Sequence, residues 1–140
     1  MDVVFLIGRI LFAFVFVLSG LGFHIMKREQ GIAYARNYNV PLAELGVPLT
    51  GVVAILGGLS LVLGVWGDLG ALLIAGFLVL ITPFMHRWWI ETDPMQRITQ
   101  QVHFQKNTAM FGGALVLFYA WNQLQGDAGL SITDPLFGRW

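Results

Sequence analysis

The sequence predicts an all-α integral membrane protein: a four-helix bundle with short interfacial helices in its two cytoplasmic loops. Three observations carry that prediction. Hydrophobic residues are 56% of the chain and charged residues only 11%, against about 25% charged in an ordinary soluble domain. Four stretches approach the ~20 apolar residues that a helix needs to cross a bilayer. The polar residues gather at the borders of those stretches. A helix satisfies its own backbone hydrogen bonds, which the hydrocarbon interior demands. The length of 140 residues suits a single membrane domain, 1–140.

The first span is expected at about 3–26, with Arg9 inside it and His24 near its end. It does not read as a cleaved signal peptide. Asp2 is acidic, no basic residue precedes Arg9, and no small-x-small cleavage site follows. Lys27 and Arg28 follow it instead. The loop after it, "KREQGIAYARNYNVPLAELGVP", sets Tyr34 and Tyr38 one helical turn apart. The second span, 49–66, and the third, 69–85, are uncharged. Gly67–Asp68 alone separates them, which predicts a tight antiparallel hairpin. The next loop, "HRWWIETDPMQRITQQVH", places Asp93 before Pro94, a helix-start pattern. Each loop is expected to hold a short interfacial helix. The fourth span is 104–121, with Lys106 and Asn107 in its first turn. The polar tail, 122–140, is expected to pack loosely outside.

Basic residues set the orientation, because short cytoplasmic loops are enriched in them. Lys27, Arg28, Arg36, Arg87, Arg97 and Lys106 fall on one side; Arg139, and Arg9 if it snorkels outward, fall on the other. The chain is therefore expected in the cell membrane, multi-pass, with both large loops cytoplasmic and both termini external. His24, His86 and His103 then share the cytoplasmic end.

Composition excludes several functions. Net charge is zero, which argues against nucleic acid as a partner. The chain has no cysteine, so disulfides, thiol exchange and iron–sulfur ligation are excluded. No metal site is expected, and no permanently bound haem, although His24 and His86 offer a loose axial pair. There is no phosphate-binding glycine loop, nucleophile elbow or HExxH motif. Hydrolysis and phosphoryl transfer by this chain alone are not expected.

What remains is a polar mouth at one end of the bundle: His24, His86, Lys106 and Asn107. His86 can hydrogen-bond a quinone carbonyl or exchange a proton near neutral pH. Equally, it can be a helix-end histidine favoured by the helix dipole, set in an aromatic belt with Trp88 and Trp89. Lys106 has a stem long enough to snorkel to water. Asn107 has not, so it needs a partner on another helix or a ligand. Arg9 lies ~22 Å along the helix from His24. It reads as structural, snorkelling or pairing with Asp68 or Asp127. Gly57–Gly58 and Gly112–Gly113, with other small residues at four-residue spacing, let helix backbones approach closely. They leave open a groove for a flat ligand.

The whole pattern resembles the DoxX family of small four-helix membrane proteins. Arg9 in "IGRILFAFVFVLSG", "GVP" at 46–48, "LGGLSLVLG" at 56–64, "TPFMHRWW" with His86, "FQKNTAMFGGAL" with Asn107 and the ending "GLSITDPLFGR" carry the resemblance. Many members have an acidic residue before the double glycine of the second span; here "GVVAILGG" has Ala54. The resemblance implies a link to quinone redox chemistry, in which this chain is a membrane subunit, accessory rather than catalytic alone. It implies no intrinsic cofactor and a quinone as the possible ligand. The expected partners are the lipid bilayer and another membrane redox protein or a second copy. A scaffold for a larger assembly and a small-molecule transport or detoxification protein are the alternatives.

Overall fold

The computed structural model describes residues 2–124 and 128–138. Helix α1 (Asp2–Ser19) runs directly into a π-helical segment, Gly20–Met26. Then come α2 (Arg28–Asn37), α3 (Ala43–Leu63), α4 (Gly67–Met85), a 3-10 turn (Trp88–Ile90) and α5 (Pro94–Leu124). Among the described residues there is no strand. Three segments are long and apolar enough to cross a membrane: Asp2–Met26, Ala43–Leu63 and Gly67–Ile90. Many of their large apolar side chains point outward uncovered, among them Leu11, Phe14 and Leu80, as lipid-facing positions do.

The expected fourth span, 104–121, is not a separate element. It is the second part of the 31-residue α5, which is more polar than the other three because Gln105, Lys106 and Asn107 stand near its middle. The helix start expected at Asp93–Pro94 is where α5 begins, and Asp93 Oδ1 accepts the Gln96 N–H at 2.8 Å. No distinct short helix follows that start. Nothing breaks the helix between Pro94 and Leu124, so the segment expected to lie at the interface continues straight into the apolar half. The first large loop does hold a short helix, α2.

The hairpin of α3 and α4 sits a few residues earlier than its composition suggests. Gly64 (φ +67°) closes α3 in the left-handed conformation, where glycine has no Cβ penalty. Trp66 (φ +47°) follows, and Gly67 and Asp68 already belong to the first turn of α4, where a carboxylate suits the helix dipole. At its other end α3 begins at Ala43, not Leu49, with Pro48 inside it.

The core is built from small residues that let helices touch. A Cβ on Gly57 would stand 3.0 Å from Ile74 Cδ1 on α4, and one on Gly58 would stand 2.6 Å from Val17 Cγ2 on α1. The two adjacent glycines thus each receive a different helix. Phe16, Leu61, Ile74, Leu78 and Trp121 fill the interior between them.

The C-terminal segment is not loosely packed. Ile132 and Thr133 donate their N–H groups to Gly64 O at 3.0 and 3.1 Å. The Trp66 N–H donates to Thr133 Oγ1. Asp68, fully buried, accepts from the Leu136 and Phe137 N–H groups at 3.0 and 2.8 Å. Arg9 is 1% exposed and donates to Ser131 Oγ and Leu130 O, both at 2.8 Å. Its guanidinium carbon lies 5.2 Å from the Trp121 ring centroid. Arg9 therefore neither snorkels nor pairs with Asp68; both are engaged by the tail. Asp127, the other expected partner, and Arg139 lie outside the described residues.

Candidate functional site

At the opposite end of the bundle a cavity of about 660 Å³ opens between the π-segment, α2, α3 and α4. Its walls are mostly apolar: Phe23, Val47, Leu80, Ile81, Phe84 and Met85. All three histidines of the chain line it. A largely apolar pocket with a few convergent polar groups is the ordinary form of a small-molecule site.

His24 reaches the cavity because of two local features. The π-segment widens the helix by one residue per turn, a distortion that often marks functional positions. Gly51 on α3 then permits the approach: a Cβ there would stand 2.3 Å from His24 Cβ. His24 is 7% exposed, and its Nδ1 lies 3.1 Å from the Ser19 carbonyl oxygen. That oxygen can only accept, so Nδ1 carries the proton.

His86 ends α4. Its ring stacks on His103 at 5.1 Å between centroids, and its Nδ1 lies 2.9 Å from Gln100 Oε1. Gln100, on α5, is 4% exposed. Its Nε2 donates to the hydroxyls of Tyr34 at 2.7 Å and Tyr38 at 3.0 Å. Tyr38 in turn donates to Glu91 Oε1 at 2.5 Å. Burial, and then the hydrogen bond to Glu91, push the Tyr38 hydroxyl well above the usual tyrosine range, so it stays protonated. Arg87 donates to the Tyr38 carbonyl oxygen and lies over its ring, tying the two loops together. Both half-buried tyrosines are thus joined to α5 through Gln100.

Lys106 and Asn107 do not line this cavity. Lys106 is exposed. Asn107 is 8% exposed and donates to Thr82 Oγ1 on α4 at 3.1 Å, so its partner is a neighbouring helix. The glycine pairs line no groove there either. Gly57 and Gly58 are filled by other helices, Gly113 would place a Cβ 3.0 Å from the Phe12 ring, and Gly112 faces open space. Among the described residues no group of three or more His, Cys, Asp or Glu is arranged to hold a metal ion.

Gln100 and Glu91 are not among the residues that the sequence singles out, yet it carries a signal for Gln100. Gln100, Asn107, Ala114 and Trp121 are buried at seven-residue intervals, one continuous seam of α5. Following that seam back from the apolar half reaches Gln100. Glu91 has no comparable signal, because it lies in an irregular turn.

In comparison with known proteins, residues 4–87 fit the model of the family described as DoxX. No curated protein and no solved structure matches the chain.

Proposed function

The chain belongs to the DoxX family, and from that premise we propose that it is a membrane subunit of a quinone-linked redox system, accessory rather than catalytic alone. It binds the quinone ring in the cavity between His24 and His86. The observation that carries this reading is the cavity itself: apolar walls that suit a flat ring, and two histidines whose orientation is fixed by other hydrogen bonds. In the proposal the apolar half of α5 completes a four-helix bundle in the bilayer, both large loops are cytoplasmic, and α2 lies at that interface.

The test uses the purified chain in lipid nanodiscs, with its tryptophan fluorescence titrated by a short-chain benzoquinone and, separately, by its hydroquinone. Saturable quenching is expected. A lost hydrogen bond costs ~0.5–1.5 kcal/mol, so His24→Ala and His86→Ala should each weaken binding of whichever redox form the native chain holds more tightly by about two- to tenfold. Lys106→Ala should leave it unchanged. If the folded native chain gives no saturable quenching with either redox form, the quinone reading fails and the scaffold reading replaces it.

A further inference from the structure

The hydrogen bonds around the cavity fix where its protons sit. The carboxylate oxygens of Glu91 only accept. Tyr38 lies 2.5 Å from Glu91 Oε1 and must spend its single proton there. Its oxygen can then only accept from Gln100, 3.0 Å away, so the amide group facing it is the NH2. The second N–H of that group serves Tyr34 at 2.7 Å. The amide oxygen is left facing His86 Nδ1 at 2.9 Å, and Nδ1 must carry the ring proton. In a neutral imidazole the other nitrogen, Nε2, is then a lone-pair acceptor. His24 reaches the same state by a shorter route, through the Ser19 carbonyl oxygen. Neither Nε2 has a protein partner among the described residues, and neither is sealed off by its neighbours.

We infer that the cavity recognises its ligand in the dihydroxy form, a hydroquinone, because the structure assigns both histidine Nε2 atoms as hydrogen-bond acceptors. A quinone brings two carbonyl oxygens, which are acceptors as well, and would face lone pair against lone pair. A hydroquinone brings two O–H donors. The inference rests on the quinone reading and adds the redox form to it. It concerns recognition only: no electron moves, and both rings stay neutral. Glu91, Tyr38 and Gln100 are positioning residues, acting on the ligand through the proton they hold on His86 Nδ1.

Two measurements test it at about pH 8, above the ordinary histidine pKa of ~6.5. The first is the affinity of the nanodisc-embedded chain for a decyl-substituted benzoquinone and for its hydroquinone, the latter kept reduced under argon. The hydroquinone should bind about tenfold more tightly, the scale of one or two hydrogen bonds. Equal affinities, or tighter binding of the quinone, overturn the inference and leave the quinone reading standing. Binding of neither overturns both. The second is the 15N spectrum of the His86 ring, which needs no variant; a proton found on Nε2 overturns the assignment. Glu91→Lys supplies the reverse case. A lysine donates to Tyr38, which must then donate to Gln100, and the amide turns over so that His86 carries its proton on Nε2. The preference for hydroquinone should fall severalfold while total binding persists. A preference unchanged after that spectral switch overturns the role given to Glu91.

Discussion

Asn107 illustrates how a polar side chain inside an apolar seam is settled by what it touches. A ligand and a neighbouring helix would satisfy it equally well by chemistry, and the seam position alone does not choose between them. Thr82, a turn before the end of α4, lies 3.1 Å away and takes the amide proton. Asn107→Ala should therefore destabilise the α4–α5 contact by about 0.5–1 kcal/mol and leave quinone affinity unchanged. Thermal denaturation in detergent, run beside the binding titration, checks both parts. Gln100 is the opposite case. In "QRITQQVH" it is one glutamine among several polar residues, and its burial depends on where Tyr34 and Tyr38 arrive from 62 to 66 residues away. Local sequence cannot supply that. The histidines were legible because ionisable groups at the borders of apolar runs stand out. Which atom of each ring is free was not, because a ring's tautomer is set by partners distant in the chain.

The crossing of the π-segment with α3 is the element on which the site depends. Helices this close require glycine where they meet, and Gly20 and Gly51 face each other there: a Cβ on Gly20 would lie 2.8 Å from Gly51 O. Gly51→Ala should push the π-segment away from α3, at a cost of about 1–3 kcal/mol for an overpacked contact. His24 would be carried with it, so ligand affinity and melting temperature should fall together. Gly112→Ala is the contrast. Nothing stands within 4 Å of that position, and alanine is favoured over glycine in a helix interior by up to ~1 kcal/mol. Its melting temperature should hold or rise. The sequence indicated four-residue spacings of small side chains without distinguishing these cases, since a glycine reads the same whether it meets a helix or open space. It gave no sign of the π-segment either, because the apolar run 3–26 continues through it without a change in composition.

At the scale of the whole molecule, the first three apolar runs were legible to within about two helical turns, since each is fixed by its own composition, while the fourth is only the later part of α5. The long-range ties were not. The charge bias of the loops predicts that a cysteine at Gln30 or Gln96 of this thiol-free chain resists an impermeant reagent in intact cells, while one at Ile132 reacts. Ready labelling at 30 and 96 with none at 132 would invert the proposed topology. The tail makes a further prediction: Arg9→Ala removes two hydrogen bonds to residues 130 and 131, so protease should cut within 128–138 faster than in the native chain, with ligand affinity retained. That clasp also has a bearing on how the protein is made. Arg9 and Asp68 belong to α1 and α4 and are both buried, yet their partners are contributed by residues that follow α5, the last described helix. A ribosome delivers those residues after α1 and α4. Until then Arg9 and Asp68 lack those hydrogen-bond partners at one end of the bundle, and a polar group buried without its partners costs free energy. A chain without residues 128–138 keeps α1 to α5 and leaves two buried ionisable side chains without these hydrogen bonds.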